Sequence, residues 1–135
     1  MKIPVANTYI GEREASKVYQ TVKSGWISMG KNVQKFEKDF AKFVDSKYAI
    51  AVNSGTAALH LALIASDIKK GDHVLIPDIT FASTAKVVLY ENANPILVEC
   101  DPKTYNIDLV DAAKKITKKT KAIISVDMNG MPVDY

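Results

Sequence analysis

Between residues 48 and 126 the chain alternates short apolar runs with helical stretches, and few folds accommodate that alternation. Residues 48–52 (YAIAV), 73–76, 95–99 and 121–126 (KAIISV) read as strands. Between them residues 55–68, 80–92 and 108–116 read as helices, the last capped by Asn106 or Asp108. Helical crossovers join parallel strands, so the pattern specifies an α/β layer, a mostly parallel sheet flanked by helices. Runs that are apolar throughout, rather than alternating, suit strands covered on both faces.

Upstream the pattern changes. Residues 1–11 read as irregular, punctuated by Pro4, Asn7 and Gly11. Residues 12–24 and 31–44 read as amphipathic helices, with Ala15, Val18, Tyr19 and Val22 on one and Val33, Phe36, Phe40 and Phe43 on the other. Gly25 stops the first. The expected organisation is therefore an N-terminal arm with two helices over residues 1–45, followed by strand–helix units over 46–135. The Lys-rich stretch 114–121 reads as a solvated helix end and loop, where cations suit the helix C-terminus.

Composition narrows the function. With 135 residues, 47% hydrophobic and 24% charged, the chain can build one core and is no disordered tail. A net charge of +3 with Arg13 as the one arginine argues against nucleic acid. The single Cys100 permits no internal disulfide and, with only His60 and His73, no Cys/His metal centre. No apolar run reaches membrane-spanning length, and residues 1–14 lack the apolar core of a secretory signal. The expectation is a cytoplasmic protein with no metal, nucleic-acid or membrane partner.

Three strand ends carry candidate chemistry. In Val52-Asn53-Ser54-Gly55-Thr56 a strand runs into a turn that opens a helix. The first amides of such a helix have no intrahelical acceptor, and with the dipole they suit a phosphate. Gly55 would let a phosphate approach the backbone, and Thr56 adds a hydroxyl. Ser54 as a plain N-cap is the equally weighted alternative. The turn is neither GxxxxGK[ST] nor GxGxxG. Phe81 follows the next strand, at the edge where open α/β sheets bind ligands, and could stack on a planar ring. It could equally be a core residue of its helix. Asp127 and Asn129 follow the last strand, where Asn129-Gly130 also reads as a turn for backbone reasons alone. His60 reads as a packed or interfacial histidine, His73 as exposed, Cys100 as a small buried hydrophobe, and Trp26 as core or pocket wall.

Taken in order, these segments resemble the DegT/DnrJ/EryC1/StrS sugar aminotransferases. The matching residues include Ile3-Pro4, Gly25-Trp26-Ile27-Ser28, Gly30 with Val33, Phe36-Glu37 and Phe40-Ala41. They continue through residues 53–63 (NSGTAALHLAL), Gly71-Asp72, 77–85, 101–108, 120–123 and 130–134. The resemblance implies part of the large domain of a fold-type-I pyridoxal 5'-phosphate (PLP) enzyme. It implies that Ser54, Gly55 and Thr56 hold the cofactor phosphate and that Phe81 stacks on its ring. The segment with Trp26 and Ser28 is similar to that of perosamine-synthase-like members, which aminate C4 of a nucleotide-linked 6-deoxy sugar. Trp26, Ser28, Asp127 and Asn129 are the candidate substrate contacts. Asp127 and Asn129 stand where the family often has His and Tyr, so hydrogen bonding there departs from the usual pattern.

The resemblance also implies glutamate as amino donor and a homodimer with shared active sites. The family's Schiff-base lysine lies beyond residue 135, so no catalytic residue is nominated among the 17 lysines here. The expectation is an N-terminal fragment that is inactive alone, whose last strand leaves an edge for another chain to cover. Alternatives are a non-catalytic phosphate- or partner-binding remnant, a sugar dehydratase with His in place of that lysine, and a plain structural α/β domain.

Overall fold

The computed structural model describes residues 7–135, so the readings at residues 1–6, including the match at Ile3-Pro4, lie outside it. The chain divides into two compact units, Met1–Ala51 and Val52–Tyr135.

In the first unit α1 spans Glu12–Lys23 and α2 spans Lys31–Phe43. Glu14 Oε2 accepts the Gly11 N–H at 2.9 Å, satisfying one orphan amide before α1. Gly25 takes φ +75°, a left-handed stop that a side chain would strain. Ala41 is the one residue of α1 or α2 that is buried. Residues 48–52 are not a strand. They form no regular element, and Tyr48 and Ile50 are exposed. A strand needs a neighbour for its backbone groups, and here the Ala51 N–H turns instead to Glu37 Oε1 at 2.9 Å.

The second unit is the α/β layer. Its elements are α3 (Gly55–Ala65), β1 (His73–Pro77), α4 (Ser83–Tyr90), β2 (Asn94–Val98), α5 (Leu109–Lys115) and β3 (Thr120–Ile123). The sheet has three strands, not four, in the order β2-β1-β3, and both pairings are parallel. The central β1 is buried from Val74 to Pro77, while the edge strands are partly exposed: β3 alternates and β2 is buried only at Val98. One face packs Val74 and Ile76 against Leu63, Ile68, Val87 and Val88 from the α3–α4 side. The other packs Leu75 and Val98 against Ile107, Ala112 and Val133.

Helix α4 starts at Ser83, three residues later than the periodicity suggests. Thr84 N–H donates to Phe81 O at 3.0 Å, so residues 80–82 form a turn. Asp108, not Asn106, caps α5, accepting from the amides of Val110 and Asp111 at 2.7 and 3.1 Å. No helix among the described residues is long and apolar enough to cross a membrane.

Candidate functional site

Parallel pairing puts the carboxyl ends of β1 and β3 at one edge of the sheet, so residues 78–82 and 124–134 leave from the same side. Helix α3 precedes β1 through a short turn at Gly71, which has φ +87°. Leu59 and Leu63 of α3 pack on the cluster that holds Val74 and Ile76. The helix therefore runs back along the sheet. Its eleven residues span roughly 16 Å, about the length of β1, which sets its N-terminus toward the carboxyl edge.

At that N-terminus Ser54 is extended, with φ −161° and ψ 157°. Its Oγ accepts the Ala57 N–H at 3.1 Å, and its carbonyl accepts the Ala58 N–H at 3.1 Å. Ser54 is thus an ordinary N-cap, and that reading of the residue holds. The N–H groups of Gly55 and Thr56 remain. No intrahelical carbonyl can reach the first two positions of a helix, and no partner for either occurs among the described residues. A Cβ placed on Gly55 would meet no atom within 4 Å. The cap and an anion cradle therefore coexist, because they use different amides. Open space at Gly55, two free N–H groups, the Thr56 hydroxyl and the helix dipole together fit a phosphate.

Phe81 is 79% exposed, so it is not a core residue. It stands just before α4, in the turn at the carboxyl end of β1. Beneath it Thr80 Oγ1 and Thr84 Oγ1 lie 2.8 Å apart, and Thr84 is buried. An exposed ring on a braced turn is suited to stacking on a planar group.

The loop after β3 is held from two directions. Asp127 Oδ1 accepts the Val133 N–H at 3.0 Å, closing the loop on itself. Asn106, 6% exposed, reaches it from the β2–α5 connection. Its Nδ2 donates to Met131 O and Pro132 O, both at 3.0 Å, and its Oδ1 accepts the Met128 N–H at 3.1 Å. Asp127 and Asn129 are both exposed. Asn129 has φ +53° and Gly130 φ +83°, consecutive left-handed positions. Sequence reasoning assigned Asn106 a possible cap and missed this role. A buried amide followed by the apolar Ile107 is the only local hint, since its partners lie 22 to 26 residues away.

Trp26 and Ser28 belong to the first unit and line a groove of about 860 Å³ with Lys17, Asn32 and Gln34. The groove is lined by residues of the first unit alone. Cavity size alone does not identify a site. Trp26 is 65% exposed, a wall rather than core. Its Nε1–H donates to Met29 O at 3.0 Å. A Cβ on Gly30 would come within 2.5 Å of that nitrogen, so glycine makes room for the indole.

Other candidates take structural parts. His60 Nε2 lies 2.6 Å from Glu91 Oε1, and its ring meets Tyr90 edge-on, linking α3 to the end of α4. That is the packed histidine expected. His73 is half-buried, not exposed, because Thr117 lies beside it. Cys100 is likewise half-buried rather than buried. Burial, with the Asp78 carboxyl as a lesser contributor, pushes its thiol up, which leaves it a poor nucleophile near neutrality. Asp101 is held below the usual carboxylate range, chiefly by the Thr104 N–H and next by the Lys103 N–H.

Comparison with known proteins identifies the family and the fold. Residues 8–135 match the DegT/DnrJ/EryC1/StrS aminotransferase family. The spore coat polysaccharide biosynthesis protein SpsC of Bacillus subtilis is 44% identical over 132 residues, 98% of this chain and 34% of that protein. A GDP-perosamine synthase of Caulobacter vibrioides is 41% identical over 134 residues, 98% of this chain and 36% of that one. The chain thus spans about a third of the length of the curated relatives it matches. Among solved structures, Spr1654 of Streptococcus pneumoniae, a proposed sugar aminotransferase in its PLP form, superposes with a TM-score of 0.92 at 31% identity. That match covers 99% of this chain and 34% of the other. The E. coli GDP-4-keto-6-deoxy-D-mannose-3-dehydratase with bound hydrated PLP gives 0.85 at 29% identity, over 92% of this chain and 33% of its own.

Proposed function

The chain belongs to the DegT/DnrJ/EryC1/StrS aminotransferase family, and from that membership we propose that it supplies the cofactor cradle of a PLP-dependent sugar aminotransferase. The observation that carries the reading is the start of α3, where the Gly55 and Thr56 amides are free and the space before Gly55 is open. Gly55 and Thr56 would donate their N–H groups to the PLP phosphate. The Thr56 hydroxyl would add a third donor, while Ser54 keeps the turn in shape through Ala57. Phe81 would cover one face of the pyridine ring. When bound, PLP supplies the electron sink that amino-group transfer requires.

The substrate in this reading is a nucleotide-linked keto-deoxysugar, and glutamate is the amino donor. Amination at C4 is supported by likeness to the GDP-perosamine synthases. Trp26 and Ser28 of the groove and Asp127 and Asn129 of the edge loop are the proposed substrate contacts. The intact protein works as a homodimer in the cytoplasm, and this chain alone is inactive in transamination.

Titration with PLP, followed by absorbance and by the amide resonances of residues 53–58, tests the cradle. The reading predicts saturable binding, competed by inorganic phosphate, with the Gly55 and Thr56 signals moving most. Binding that leaves those two signals in place would contradict it. A second reading, a PLP-dependent sugar dehydratase, is favoured by the likeness to the E. coli dehydratase. Incubating the intact protein with glutamate and a nucleotide-linked 4-keto-6-deoxysugar separates the two. An amino sugar supports the transferase, and loss of a ring hydroxyl without nitrogen gain supports the dehydratase.

A further inference from the structure

We propose that Asn106 is a positioning residue for substrate recognition, acting through the loop 127–132, and this rests on the sugar aminotransferase reading. Asn106 is one of three polar side chains buried in the described chain. Its amide uses both ends on that loop: two donations, to Met131 O and Pro132 O, and one acceptance, from Met128 N–H. A side chain with all these bonds on one loop fixes that loop's position and orientation together.

Asn106 is itself rigidly placed. Asp101 Oδ1 accepts from the amides of Lys103 and Thr104 at 2.8 and 2.9 Å, and Asp101 N–H donates to Asn106 O at 2.8 Å. The next residue, Ile107, is buried with Val133 in the cluster on the α5 face. The loop is thus anchored on that face of the sheet. The free amides of Gly55 and Thr56 belong to α3, which packs on the opposite face. The two anchorages are separate, so the loop can bound the site without bearing on the phosphate cradle.

Between its anchors the loop presents Asn129, exposed and in a left-handed conformation that asparagine adopts more readily than most residues. Asn106 holds that conformation, and Asn129 offers an amide able to donate to and accept from sugar hydroxyls. Asn106 touches no ligand in this scheme; it sets where Asn129 stands.

The test uses the intact protein and three variants, Asn106→Asp, Asn129→Ala and the double. Asn106→Asp keeps an acceptor for Met128 N–H, but it loses both donations and sets a carboxylate oxygen against the Met131 and Pro132 carbonyls, so it loosens the loop from within an isosteric side chain. Expected are hydrogen exchange at Met128 at least tenfold faster and a nucleotide-sugar KM about tenfold higher. The kcat should change less than threefold and PLP affinity less than twofold. Asn129→Ala should raise KM similarly while leaving exchange at Met128 unchanged. The double variant should raise KM no further than Asn129→Ala alone. Multiplied KM effects in the double variant, or faster exchange with an unchanged KM, would overturn the proposal. Loss of PLP together with KM would overturn it too, by showing general damage. If wild-type protein aminates no nucleotide sugar, the aminotransferase reading fails instead, and the exchange result still shows whether Asn106 holds the loop.

Discussion

The two units bury their apolar residues very differently. In Val52–Tyr135, Val74, Leu75, Ile76, Val87, Val88 and Val98 are all at 0% exposure, on both faces of a three-stranded sheet. In α1 and α2 the one buried residue is Ala41, and Phe43 is 86% exposed. Yet α2 has the more sharply two-sided pattern, KNVQKFEKDFAKF, whereas α3, GTAALHLALIA, is apolar almost all round. Amphipathicity reports that a helix has a face to cover. It does not report that anything in the same stretch of chain covers it.

The largest expected effect separates the two units by stability. Leu75→Ala should cost about 2–5 kcal/mol, because it opens a cavity in the fully buried centre of β1. Phe43→Ala should change stability by at most about 0.5 kcal/mol. Denaturant unfolding measures both, and equal costs would erase the distinction. A smaller loss, about 1 kcal/mol, is expected from Asp108→Ala, which removes the cap of α5. Gly30→Ala probes the first unit where a glycine makes room for the Trp26 indole. The indole of Trp26 must move, breaking its bond to Met29 O at about 0.5–1.5 kcal/mol. A shift in tryptophan emission should accompany the loss, and unchanged emission would show that the indole is not held there.

The smallest effect concerns acid. Asp101 has a folded pKa below its ordinary value of 3.8. A depressed carboxylate adds stability above the unfolded value, and that contribution disappears as pH falls through the folded one. Asp101→Asn should therefore flatten the fall in unfolding midpoint below about pH 4 while keeping the rest of the curve. An unchanged acid limb would show that the Asp101 turn does not contribute. The side chain is solvent-exposed enough that the effect stays small.

The helices were legible because each depends on local signals. Gly25 and the 3–4 spacing around Val18 and Val22 define α1, and Asp108 sits where a cap belongs. Strands depend on neighbours, which explains the error at residues 48–52: YAIAV has strand composition, but its Ala51 amide is bonded to Glu37. The start of α3 at Gly55 was legible because Ser54 is a local capping signal, although no strand precedes it, and Phe81 was placed by the β1 run just before it. The parts of Asn106 and Gly30 were not legible. Each depends on a partner's three-dimensional placement, the 127–132 loop for one and the folded-back Trp26 indole for the other.

The central claim is that α3 opens on a phosphate cradle, and Gly55→Ala tests it most directly. A Cβ there meets no protein atom within 4 Å, so the fold should not register the change. The account predicts stability within about 0.5 kcal/mol of wild type and PLP affinity at least roughly tenfold weaker, since the methyl would occupy the phosphate's approach. Unaltered PLP affinity at unaltered stability would contradict it.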